Sequence, residues 1–518
     1  MELKDQSYTC VVGLEKTRDA EFFHDGSLRA GLKKRAVKGA GVMVFSQTFA
    51  YSVQMISTVI LARLLTPDDF GLVAMVSVCS VLLMNFGVKF TEAILQEKEI
   101  THEKISSLFW VNIGISVLIT VGFMACSPII AWFFSEPRLR YITVVMAFPI
   151  LLSGLSTQHI ALLKRSMKFK QVAANDMVAA VVSVIIAIAM ASAGWGYWAV
   201  VARQVTVLVA GTVGAWIMCS WRPGLPIGNS GIYSMVKFAC NTYCNYCMTY
   251  FSRNLDKVLI GRLLGSQLLG HYDRAYQLSG AFPNQLVIPL TTVAVSTLSR
   301  LREDPEKYWR YFERMLSTIA FLGMGVSAVL TVIGKDLVVI VLGPQWGKAG
   351  DIFTAFAPGL GMALIYSTSV WLHLSLGRAD RCFRWSIIGL LATIIAYIIG
   401  LRFGAFGVAV AYSASLYILA WPALSYAGGP LNFKLSSFVG ITWKYMLAAL
   451  IAGVSGWIVF YSSGWISSDL SKLSAVVRVP SVSIVCIFLY LAVVVVLHRG
   501  LRPIIELLEV AHDMLSRR

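Results

Sequence analysis

The chain has 518 residues, 57% hydrophobic and only 14% charged, which excludes a soluble globular protein of this length. Its formal net charge of +17 could suggest a nucleic-acid binder. The Lys and Arg residues, however, lie between apolar runs, where membrane topology places them.

Residues 1–40 form a polar arm without an apolar core of its own, so no cleavable signal is expected and the N-terminus is expected in the cytoplasm. The arm ends in a basic cluster, Arg29, Lys33, Lys34, Arg35 and Lys38. Apolar runs at 41–62, 70–90, 105–126, 141–163, 173–193 and 197–219 make six expected spans, an N-lobe over 41–220. A polar connection, WRPGLPIGNSG, begins at Trp221. Runs at 235–261, 276–299, 312–333, 352–376, 386–403 and 405–427 make a C-lobe over 235–430. Two more, 441–462 and 475–497, fill 441–497 before a cytoplasmic tail, 498–518. The fold class is thus all-α, with about fourteen transmembrane helices. The run Asp336–Leu342 is too short to cross and is expected at the interface. Lys and Arg concentrate in the loops 164–170 (KRSMKFK), 300–314 (RLREDPEKYWRYFER) and 378–384 (RADRCFR), which puts both termini on the cytoplasmic side.

The two lobes share an ordered set of matches. Arg63-Leu64-Leu65 with Gly71 returns 199 residues later as Arg262-Leu263-Leu264 with Gly270. Pro149 matches Pro358 at 209, and Gly194 with Ala199-Val200 matches Gly404 with Ala409-Val410 at 210. An even number of spans per copy makes the repeats parallel, an arrangement common in transporters that hold substrate between lobes.

The stretch from Lys237 to Gln277 carries Arg253, Asp256 and Lys257 inside an apolar run, where ionisable groups are costly and usually face a bundle interior or a wet cavity. At about 100° per residue, Tyr243, Tyr246, Tyr250, Arg253 and Lys257 occupy roughly a quarter of the helix circumference. Met248, Phe251, Leu255, Val258 and Leu259 cover another arc. Two readings compete: a substrate face, or an Arg253–Asp256 ion pair holding the helix to its neighbour with tyrosines as packing. Arg203, in span six, is either a third cation of the same path or a snorkelling side chain. Arg203 and Arg253 each lie outward of their span's middle, and Lys257 lies farther out. Asn241, Asn245 and Gln204 could add hydrogen bonds.

Other polar residues carry blander expectations. Arg63 and Arg262 are read as interfacial anchors, and Asp68-Asp69 as the cap of span two. Glu92 and Asp176 are boundary charges, His159 and His373 packed histidines, and Trp195, Tyr197 and Trp198 an interfacial belt. The nine cysteines, mostly in apolar runs, suit packing rather than disulfides. Cys240, Cys244 and Cys247 share a helix face but lack a fourth ligand, so no metal is expected.

ARLLTPDDFGLVAM (62–75), GYWAVVARQ (196–204), NLDKVLIGRLLG (254–265), LGHYDRAYQL (269–278), LSRL (298–301) and GPQW (343–346) resemble the Wzx-type polysaccharide-exporting flippases, nearest the colanic-acid-exporter branch. These belong to the multidrug/oligosaccharidyl-lipid/polysaccharide exporter superfamily. The resemblance covers roughly residues 32 to 430. It implies fourteen helices, two six-helix lobes and a central cavity. It also implies a polyprenyl-pyrophosphate-linked oligosaccharide as cargo, delivered to the periplasmic leaflet of the bacterial inner membrane. Such a cargo needs cations for the phosphates (Arg203, Arg253, Lys257) and aromatic side chains for the sugars (Tyr243, Tyr246, Tyr250). A polysaccharide polymerase and other export components are the expected partners, with no nucleic acid. No resident cofactor is expected, and coupling to H+ or Na+ is left open. An enzyme is not expected, because outer loops are short and no metal motif, nucleotide loop or nucleophile–base pair stands out. The rivals are a cation-coupled drug antiporter, which would want an acidic cavity, and a membrane enzyme acting on polyprenyl-linked sugars.

Overall fold

The computed structural model describes residues 32–97, 100–226, 231–431, 433–458, 475–501 and 505. The arm through residue 31, with Arg29, and the tail beyond 501 apart from 505 lie outside them. The described residues form no strand. The helices are α1 (Leu32–Leu64), α2 (Pro67–Gln96), α3 (His102–Ala125), α4 (Ser127–Phe134), α5 (Leu139–Arg165), α6 (Phe169–Ser192) and α7 (Tyr197–Met218). They continue as α8 (Tyr233–Arg300), α9 (Pro305–Leu342), α10 (Gly347–Ser375), α11 (Ala379–Leu401), α12 (Gly404–Gly428), α13 (Leu435–Trp457) and α14 (Ala475–His498). Among the described residues twelve helices are long and apolar enough to cross a membrane. The other two expected spans are the limbs of α8, 233–264 and 266–300, which break at Gly265 (φ 84°, ψ 175°). That backbone conformation is essentially restricted to glycine. Lys33, Lys34, Arg35 and Lys38 stand on the first turns of α1, continuous with the apolar run that follows.

Contacts divide the chain into two compact units, residues 1–270 and 271–518. The division falls past the connection at Trp221, so the first limb of α8 belongs with α1–α7. In the first unit α5 is central, packing on α2, α3, α4, α6 and α7. Hydrocarbon offers helices no hydrophobic drive to associate, so close packing and interhelical hydrogen bonds must do it. Asn112 Nδ2 donates to the Gly154 carbonyl (3.1 Å), Thr212 Oγ1 to that of Leu152 (3.1 Å) and Trp216 Nε1 to that of Leu155 (3.0 Å). At the end of α2, Arg165 Nη1 donates to the Ile94 carbonyl (3.0 Å), a cation on a helix C-terminus.

In the second unit α10 holds the corresponding place, packing on α9, α11 and α12. Pro358 interrupts its hydrogen-bond ladder. Neighbouring helices supply donors to the carbonyls around it: Ser413 Oγ to Ala355 (2.7 Å), Ser327 Oγ to Ala357 (2.6 Å) and Tyr417 OH to Pro358 (3.0 Å). Helices α13 and α14 pack on α9, where the Tyr490 hydroxyl donates to the Phe321 carbonyl (2.7 Å). The run Asp336–Leu342 is not a separate interfacial segment but the end of α9. Its carboxylate can stay on a spanning helix because Arg478 of α14 grips it with two hydrogen bonds, one of 2.8 Å from Nε.

The repeat extends to backbone detail. Left-handed residues recur at Ser135 and Gly343 (φ 58° and 113°), Met167 and Gly377 (57° and 68°), and Gly194 and Gly404 (82° and 72°). Within the first unit its two signature glycines touch symmetric partners. A Cβ on Gly71 would lie 1.8 Å from the Ser266 carbonyl oxygen, and one on Gly270 would lie 1.8 Å from that of Pro67. Since 67 matches 266 as 71 matches 270, the two contacts are one contact seen twice. Gly71→Ala therefore forces backbone from backbone. Its melting temperature in detergent should fall by several degrees relative to Gly114→Ala, where a Cβ meets nothing within 4 Å. Equal melting of the two variants would contradict the close approach.

Candidate substrate face on the broken helix α8

The first limb of α8 carries its tyrosines as a ladder. Tyr243 and Tyr246 stack with centroids 6.4 Å apart, and Tyr246 and Tyr250 follow at 5.6 Å. The spacing of three and four residues dictates this, because such positions sit one above the other on a helix. The ladder is fixed to α2, where the Tyr243 hydroxyl donates to the Leu82 carbonyl (3.3 Å) and Phe86 meets the Tyr243 ring edge-on at 5.0 Å. All three tyrosines remain partly accessible.

Arg253 continues the ladder one turn beyond Tyr250. It is exposed and makes no ion pair or side-chain hydrogen bond among the described residues. Asp256, by contrast, is fully buried and accepts the Lys257 backbone N–H (2.8 Å). The expected alternative, an Arg253–Asp256 pair, is therefore not what the chain forms. Spacing alone would allow the pair, but Asp256 is turned into the core while Arg253 is exposed. Lys257 is partly buried on the next turn. Arg203 contacts a different element, its Nη1 donating to Ser57 Oγ of α1 (3.4 Å), while Gln204 bonds Ser77 of α2 (3.1 Å). The tyrosines, Arg253 and Lys257 thus share one helix, with Arg203 on another.

One residue of this face escaped the sequence reading. Lys89 of α2 places its ammonium 5.3 Å from the Tyr246 ring centroid and 2.6 Å from Glu92 Oε1. It closes an expected apolar run and so looks like a boundary charge. The signal available was Glu92 three residues on, a partner that a solvated lysine does not need.

At the end of the first unit remote from the basic loop 164–170, polar contacts cross-link the helix ends. Thr66 and Asp69 form a reciprocal cap at the start of α2. Asp68 takes Ser266 Oγ and Arg138 Nη1 (2.9 Å), and Arg138 also bonds Glu136 (2.8 Å). The Arg138 guanidinium holds the Glu136 carboxyl below the usual carboxylate range. Arg262 donates to Ser135 Oγ (2.7 Å) beside the Phe133 ring. In the second unit HYDRAYQL (271–278) is a core element: Arg274 and Gln277 both bond Asp273 Oδ2 at 2.8 Å, and His271 meets Trp346 of GPQW edge-on at 5.5 Å. His159 is fully buried against Trp216 (4.3 Å), and His373 is buried beside Tyr426. Among the described residues no three His, Cys, Asp or Glu side chains group as a metal site, Cys240, Cys244 and Cys247 included.

The chain is 24% identical over 364 residues to the succinoglycan biosynthesis transport protein ExoT of Rhizobium meliloti (strain 1021), covering 70% of this chain and 73% of that one. It is 23% identical over 394 residues to the lipopolysaccharide biosynthesis protein WzxC of Escherichia coli (strain K12), covering 74% and 78%. Its fold is that of the lipid II flippase MurJ in an inward closed conformation, with a TM-score of 0.70, 16% identity and coverage of 88% and 98%. An inward-facing multidrug resistance MATE family transporter follows, with a TM-score of 0.59, 11% identity and coverage of 73% and 94%. The family model described as polysaccharide biosynthesis protein matches residues 60–351, more than half of the chain, and the chain belongs to that family.

Proposed function

We propose that the protein is a flippase that carries a polyprenyl-pyrophosphate-linked oligosaccharide from the cytoplasmic to the periplasmic leaflet of a bacterial inner membrane, by alternating access, for exopolysaccharide or lipopolysaccharide biosynthesis. The observation that carries this reading is Arg253, an exposed cation with no ion pair or side-chain hydrogen bond among the described residues, at the head of an aromatic ladder. Moving such a cargo requires replacing the water around a charged phosphate and a string of hydroxyls while the prenyl tail stays in lipid. A free guanidinium matches phosphate oxygens bidentately, and aromatic faces suit sugar rings. The names of the relatives, a transport protein and a flippase among them, support transport rather than catalysis. A drug antiporter on the same scaffold fits less well, because the cations of this face, Arg253, Lys257 and Lys89, outnumber its one accessible carboxylate, Glu92.

Arg253→Ala should keep its membrane level and lose export, since a charge-assisted contact is worth about 1.5–3 kcal/mol, roughly ten- to a hundredfold. Arg253→Lys should recover only part, because an ammonium lacks the planar fork. Arg253→Ala/Asp256→Ala should remain inactive. Export restored in that double variant would return Arg253 to a structural role.

The basic-loop end is taken as cytoplasmic, with both termini on that side. In a background without native cysteines, Gly464→Cys should react with an impermeant thiol reagent from outside the cell and Ser516→Cys should not. The reverse labelling would invert the orientation.

A further inference from the structure

We infer that Lys89 is a second phosphate-binding cation of this path and that Glu92 is its built-in counter-ion, which an incoming head group must displace. The inference rests on the flippase reading and adds a specificity device to it. Lys89 lies seven residues before the end of α2 at Gln96, about 10 Å into the helix. Helical side chains lean toward the N-terminus, which leads this one away from the basic-loop end and along the span. Its ammonium crosses to α8 and sits over Tyr246, at the ladder's middle rung. Tyr246 and Arg253 are seven residues apart, so the two cations flank a stretch of about 10 Å lined by Tyr246 and Tyr250.

The pair is asymmetric. The Lys89 side chain is only 14% exposed, whereas Glu92 is 42% exposed. Lys89 is held by the ring and its packed stem, while the more exposed carboxylate can give way once an incoming phosphate takes its place on the ammonium. Glu92 thus stands where a phosphate oxygen would stand. Exchanging one carboxylate for a single phosphate group, one anionic partner for another, gains less than exchanging it for two linked phosphates. A pyrophosphate brings more charge and more acceptor oxygens to the same ammonium, and so outcompetes the internal anion. The ion pair discriminates by charge number: a weak anion finds the site already occupied. This also removes Glu92 from the ordinary boundary charges.

The test uses the full-length protein in nanodiscs, with binding of polyprenyl pyrophosphate and polyprenyl monophosphate measured by native mass spectrometry. Wild type should prefer the pyrophosphate. Glu92→Gln should tighten monophosphate binding about tenfold and narrow that preference, the displacement of one charge-assisted contact. Lys89→Gln should weaken pyrophosphate binding by a similar factor, and Lys89→Gln/Glu92→Gln should match it. Glu92 is exposed enough that its variant tests the idea even if Lys89→Gln does not fold. A Glu92→Gln protein with the wild-type preference overturns the counter-ion role and leaves the flippase reading standing. Failure of wild type to bind either lipid overturns both.

Discussion

An unneutralised charge in hydrocarbon is the constraint on which this molecule turns. Each ionisable group on a spanning helix must find a partner, reach water or receive one from outside. Asp336 finds Arg478, and Asp273 finds Arg274 and Gln277. Arg253 is exposed and has no ion pair among the described residues, which leaves it available to an anion from outside. The polar backbone obeys the same rule: where Pro358 breaks the ladder of α10, hydroxyls from three neighbouring positions supply donors.

The same economy shapes the close contacts. Gly71 and Gly270 allow backbone to meet backbone at the remote end of the first unit, where Asp68, Arg138, Ser266 and Arg262 cross-tie the helix termini. These groups sit at helix ends rather than in the apolar middle, so their exchange with water is cheap. Exposed contacts of that kind each contribute little, whereas breaking the largely buried Asp336–Arg478 grip would leave a charge without its partner.

Much of this was legible in the residues. Gly194 and Gly404 matched because both copies turn through a left-handed residue, a requirement that leaves a mark in sequence. The tyrosines matched a ladder because helical periodicity alone places them. What spacing could not say is which side of a helix faces which neighbour. It offered Arg253–Asp256 as an ion pair, yet Asp256 turns into the core and Arg253 out of it. It set Asp336–Leu342 apart as a short run, whereas these residues continue α9, with Asp336 held by Arg478 142 residues away. Lys89 was missed for the same reason: its meaning depends on Tyr246, a residue of another helix. Arg203 sits on another helix than Arg253, and spacing could not say that it would reach Ser57 of α1.

The central claim is that recognition runs through the phosphate charge rather than through the lipid tail or the sugar alone. Its most direct measurement is transbilayer movement in proteoliposomes of two cargoes with the same oligosaccharide and the same prenyl chain, one joined by pyrophosphate and one by an uncharged link. The account predicts rapid movement of the pyrophosphate-linked lipid and none above protein-free vesicles for the neutral one. Equal movement of both would contradict it.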